Sequence, residues 1–157
     1  MDSAGRPGEG GEFTRIGHGE SLRLLATVPV GRLIFTVNAV PAVRPMNFAV
    51  VDGVILLRTA AGSTVARRVE DAIVAFEADE LDAAACSGWS VTVTGRAALV
   101  ADPDAAARYR RVPLVSWAPG IRDQFVTITT ELAEGLRVSR PAVTIGGRAA
   151  GEVSAAG

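Results

Sequence analysis

The chain has 157 residues, enough for one domain with a substantial core and too few for two comfortable ones. A formal net charge of −1 with 48% hydrophobic residues predicts a folded globular protein and argues against a general binder of nucleic acid or of anionic membrane. All 16 basic residues are arginine, which excludes a lysine Schiff base, a lysine general base and a lysine contact to phosphate.

One cysteine, Cys86, leaves no intrachain disulfide, and it reads as a small packing residue. With a single histidine, His18, no conventional zinc set assembles, so no metal site is expected. Apolar runs such as Phe48–Val51 and Val54–Leu57 fall far short of the roughly 20 residues that cross a bilayer, so no membrane association is expected. Residues 1–11 carry glycine and charge in place of an apolar signal core, and a cytoplasmic location is the expectation.

In chain order, residues 1–18 read as a flexible leader, with His18 solvated between two glycines, and 139–157 as a flexible tail. The expected folded unit is 19–138. Glu20 to Thr27 reads as a short helix with Leu22, Leu24, Leu25 and Val28 near one face, stopped by Pro29. Leu33–Val37 is a strand, Asn38–Pro41 a turn, and Ala42–Val51 and Val54–Thr59 are two strands joined at Asp52-Gly53. Thr64 to Val69 is a short surface helix. Ile73–Ala78 is a buried strand followed by an acidic loop, Asp79–Asp82. Trp89–Val100 is the longest strand, and Asp102-Pro103-Asp104 caps a helix running through Arg111. Phe125–Thr130 and Leu136–Val138 complete six or seven strands. Tight turns between them imply a mainly β fold with short helices, an antiparallel barrel in place of a βαβ sheet. Within the tail, Ala142–Ile145 could add one more strand.

The hairpin carries the clearest functional signal. Its second strand ends in Arg58-Thr59, and Gly62-Ser63-Thr64 follow just before the short helix. An arginine fork, hydroxyls and free backbone N–H groups are the parts that hold a phosphate.

Several segments in this order resemble the pyridoxamine 5′-phosphate oxidase-like family of flavin- and deazaflavin-binding proteins. They are Ser21–Leu33, Arg44-Pro45-Met46-Asn47-Phe48, Arg58-Thr59, Gly62-Ser63, Phe76-Glu77, Gly88-Trp89-Ser90-Val91 and Trp117–Gly120. The resemblance covers roughly 19–138. It implies a six-stranded antiparallel split β-barrel that pairs into a homodimer, with the cofactor in a groove between subunits. It further implies that the backbone of Met46, Asn47 and Phe48 lines a flavin ring, and that Arg58, Thr59 and Ser63 meet the phosphate. Arg44 is a further candidate on the preceding strand. Trp89 and Ser90 would come from the partner side of the groove or flank the ring, and residues near Trp117 would close one end.

Where members of this family often have lysine, this chain has Thr64, which keeps a hydrogen bond and loses a charge; Arg67 or Arg68 lies within a helical turn. No C-terminal segment of the kind that binds vitamin B6 is evident. The expected function is an FMN-dependent oxidoreductase acting on a small-molecule substrate. The alternatives are a 5-deazaflavin-dependent reductase on the same fold, or a non-enzymatic protein that binds flavin or another small ligand.

Overall fold

A computed structural model describes residues 11–140. In chain order they form β1 (Glu12–Ile16), α1 (His18–Leu25), β2 (Val30–Val37), β3 (Val40–Val51), β4 (Val54–Thr59) and α2 (Thr64–Val69). There follow β5 (Ile73–Asp82), β6 (Ser87–Leu99), α3 (Pro103–Tyr109), β7 (Gln124–Ile128) and β8 (Leu132–Ser139). The strands lie in the order β1-β8-β6-β5-β2-β3-β4-β7, and β7 pairs back onto β6. Six strands therefore close into an antiparallel barrel, as expected, while β8 and β1 extend the sheet beyond β6.

Closure depends on two strands that change partners along their length. β6 pairs with β8 as far as Thr94 and with β7 from Ala97 to Leu99. β3 pairs with β2 from Val40 to Asn47, and with β4 only from Phe48 onward. At Gly95 the crossing chains nearly touch: a Cβ there would meet the Thr129 carbonyl oxygen. Beside it, the Arg96 N–H donates to Thr129 Oγ1 at 3.0 Å.

The period-2 alternation of the strands fills the barrel. Leu33 and Phe35 of β2, Phe48 of β3, Phe76 of β5 and Trp89, Val91 and Val93 of β6 all face one core. The Phe48 and Phe76 rings pack tilted at 4.7 Å between centroids, a favourable aromatic geometry. A smaller cluster outside the barrel joins Leu56, Leu114 and Phe125. The Asp52-Gly53 turn has both residues at positive φ (50° and 76°), the conformation that matches the twist of a two-residue hairpin.

Four expectations need correction. The leader does not extend to 18: Glu12–Ile16 pair with β8, a contact to distant sequence that composition does not reveal. His18 opens α1, and its Nε2 donates to the Thr130 carbonyl at 2.7 Å. The acidic run is not a loop. Asp79–Asp82 continue β5 against Ser90–Ser87, because Ala78 stays buried while the acids alternate onto the outer face and the hairpin tip. Cys86 is not a core packing residue: it is exposed in that tip, at φ 50°, with its thiol donating to the Ala83 carbonyl at 3.5 Å. The Ala142–Ile145 segment lies outside the described residues.

On the outer face, Arg32 Nη1 reaches Glu77 at 2.9 Å and Asp79 at 3.1 Å. Partial burial raises the Glu77 carboxyl above its ordinary range; the Arg32 bond opposes this and the neighbouring Asp79 charge adds to it.

Candidate functional site

A groove follows β3 where β4 has not yet joined it. Over Arg44–Asn47 one edge of β3 is bonded to β2 and the other has no strand partner among the described residues. The segment between α3 and β7, residues 110–123, arches over this stretch as a strap. It forms two adjoining hollows that share Asn47, Leu114 and Trp117 as lining. The first, of about 300 Å³, has Pro45, Met46 and Asn47 on one side and Arg58, Trp117 and Arg122 among the others. The second, of about 480 Å³, runs along Phe48–Val51 beneath Val112 and Leu114.

The strap is pinned at two points. Asn47 Oδ1 accepts from the Trp117 N–H at 2.8 Å, while its Nδ2 donates to the Pro29 carbonyl at 3.2 Å. Asn47 thus fixes the strap to the start of β2, and both ends of its amide are engaged within the chain. Arg58 Nε donates to the Arg122 carbonyl at 2.9 Å and Nη1 to that of Leu114 at 3.5 Å, with the guanidinium 5.3 Å from the centre of the Phe125 ring.

Of the residues singled out in the sequence, Met46, Asn47 and Arg58 line the first hollow, and Asn47 and Phe48 the second. The Phe48 ring points into the barrel core, so Phe48 offers the groove its backbone. Arg44 is exposed, and its Nη1 bonds only the neighbouring Val43 carbonyl at 3.0 Å.

Thr59, Ser63 and Thr64 do not share a surface with Arg58. Successive residues of a strand face opposite sides, so Thr59 is buried where Arg58 lines the groove. Thr59 Oγ1 and Ser63 Oγ bond one another at 2.9 Å, and Ser63 Oγ accepts the Ala66 N–H at 3.1 Å as the cap of α2. Thr64 is exposed, and Arg67 folds back on the Gly62 carbonyl. Trp89 is buried in the core, and Ser90 lies on the outer sheet face in a separate hollow with Arg15 and Thr92.

Arg122 is the residue that sequence reasoning missed. It lies in an irregular Pro- and Gly-bearing segment, and no periodicity or motif marks it. Yet its Nε is closed off from solvent with no hydrogen-bond partner among the described residues.

Comparison with known proteins gives these features a family. A protein of Mycobacterium tuberculosis, the uncharacterized Rv0080, is 44% identical over 132 residues, covering 81% of this chain and 86% of that one. The FAD-binding protein of Mycobacterium smegmatis superposes with a TM-score of 0.69 at 32% identity, over 80% of this chain and 98% of that one. A conserved protein of unknown function from Corynebacterium diphtheriae gives 0.66 at 27% identity, over 79% and 96%. The profile of the pyridoxamine 5′-phosphate oxidase family matches residues 17–144, and the chain belongs to that family.

Proposed function

We propose that the protein is an FMN-dependent oxidoreductase whose cofactor lies in the groove between β3 and the strap. The unpaired edge of β3 over Arg44–Asn47 carries this reading. Free backbone N–H and C=O groups on an extended strand match the donors and acceptors along the edge of a flavin ring. The residues present fit such a group: apolar side chains of Pro45, Met46 and Leu114 beside arginines suit a flat ring that carries an acid. The M. smegmatis relative, described as an FAD-binding protein, supports a flavin over an unrelated ligand.

A bound flavin supplies the hydride and electron transfer. The chain's own part is to bind and orient. The β3 edge positions the ring, Asn47 and Arg58 hold the strap over it, and Trp117 stands at the groove mouth. Thr59, Ser63 and Thr64 sit on the other side of β4, with the Thr59 and Ser63 hydroxyls bonded to one another, and have no part in this placement of the cofactor. The Arg44 side chain and Ser90 lie away from the groove within one chain, and a homodimer with the cofactor at its interface is the arrangement that would use them, whereas Trp89 is buried in the barrel core and packs there. Exposed Val115, Trp117 and Ile121 on the strap favour such pairing.

Titration of the purified chain with FMN, FAD and a 5-deazaflavin tests the assignment, with its mass followed by light scattering. FMN is expected to bind at micromolar concentration as a dimer with one cofactor per chain, and reduced FMN to pass electrons to an added acceptor. Preference for the deazaflavin would transfer the reading to that cofactor. A chain that takes up none of the three, or binds without turnover, would remove the oxidoreductase.

A further inference from the structure

We propose that the start of the C-terminal tail, Ala142–Ile145, docks onto an apolar notch at the tip of the β5–β6 hairpin and covers the chain's single thiol, Cys86. Register places Phe13 of β1, Val138 of β8, Gly88 of β6 and Leu81 of β5 in one row across four strands. Directly opposed residues share a sheet face. Gly88 has no side chain, and a Cβ there would fall on the Glu80 carbonyl oxygen, so the row keeps a gap in its middle. At the gap lies a hollow of about 400 Å³ lined by Leu81, Asp82, Ala83, Cys86, Ser87 and Val138. Among the described residues Phe13 is 74% exposed and Leu81 62%, apolar area that nothing described covers.

The tail begins at this notch. Antiparallel pairing runs β8 toward the hairpin tip, from Leu132 opposite Thr94 to Val138 opposite Gly88. Val138 lines the hollow, and the strand ends one residue later at Ser139. Pro141 follows, and its missing N–H disfavours a further ladder bond. In an extended segment Val143 and Ile145 point to one side. They stand three and five residues past Arg140, a reach of about 10–17 Å. Leu81 lies two strand spacings from Val138, about 10 Å, so both side chains can meet the row. The match to the family also extends past the last strand, to residue 144. Residues 1–10 do not compete, since they hold no valine, leucine, isoleucine or aromatic side chain. A second copy of the chain is the rival occupant, but a tethered segment acts at an effective concentration on the order of millimolar.

Cys86 reports the contact, because the chain has no other thiol. Its reaction with dithiobis-nitrobenzoate is followed in the intact chain for wild type, for Val143→Asp with Ile145→Asp, and for the control Val153→Asp. The reagent reaches a covered thiol only when the tail lifts. The double variant is therefore expected to react about tenfold faster than wild type, with Val153→Asp at the wild-type rate. Val143→Cys gives a second reading that does not depend on disrupting the contact. Oxidised glutathione should join the new thiol to Cys86 within one chain, faster than it does in Ala155→Cys. Equal rates for wild type and the double variant overturn the docking, as does Val143→Cys that closes no faster than Ala155→Cys. Protection of wild-type Cys86 that rises with protein concentration and survives the double substitution gives the notch to a second copy and overturns the tail.

Discussion

Gly95→Ala is expected to lower folding stability by about 3 kcal/mol, the upper end of what an overpacked site costs. β6 changes partners here, from β8 to β7, and the barrel closes only if the two backbones approach without a side chain between them. The added Cβ would fall inside the contact distance of the Thr129 carbonyl oxygen, 2.7 Å from Thr129 Oγ1 and 2.9 Å from its carbonyl carbon. Backbone atoms cannot swing aside as a flexible side chain can. The neighbouring bonds, Arg96 N–H to Thr129 Oγ1 and Thr129 N–H to the Arg96 carbonyl, would stretch with any displacement. Gly17→Ala is the matched control, since a Cβ there meets nothing within 4 Å. Urea unfolding of the three proteins is the measurement. Coincident midpoints for Gly95→Ala and wild type would show that the close approach does not govern closure.

Arg58→Met is expected to destabilise the chain by about 2–4 kcal/mol, the combined scale of its charged hydrogen bonds and its contact with an aromatic face. Methionine keeps much of the apolar stem, so the loss reports the guanidinium. Without it, the carbonyls of Arg122 and Leu114 lose their donor and the strap loses one of its two pins. Arg44→Met should change stability by less than about 0.5 kcal/mol, as surface substitutions do, because Arg44 bonds only its own neighbour. The pair separates two arginines that both stand as cofactor candidates in the sequence, Arg58 on the stronger local signal. Equal effects at 58 and 44 in urea unfolding would contradict the pinning role.

What could be read from the sequence was local. Asp52-Gly53 announces its hairpin because two successive positive-φ residues suit few other sequences. Asp102 and Pro103 announce α3 by the same kind of short-range chemistry, and the Asp102 carboxylate does accept from the Asp104 and Ala105 N–H groups. β1 was missed because only Ile16 of its five residues is buried; its partner lies more than a hundred residues away. The acidic end of β5 reads as a loop because four carboxylates in six residues mask the alternation that continues the strand. At the site, Met46 and Asn47 enter through the family resemblance of the Arg44–Phe48 segment, and the fold sets both beside the groove. The grouping of Arg58 with Thr59 was not sound as geometry, since adjacent strand residues face opposite ways. Arg122 could not be found at all: only the folded strap brings it to the groove.

Amide hydrogen exchange with and without saturating FMN tests most directly whether the groove beneath the strap is the flavin site. Slowed exchange is predicted at Arg44–Phe48 and across residues 113–123, where the β3 edge lacks a strand partner and the strap rests on two side-chain pins. Bound FMN that leaves both segments unchanged, and protects only other parts of the barrel, would contradict the site.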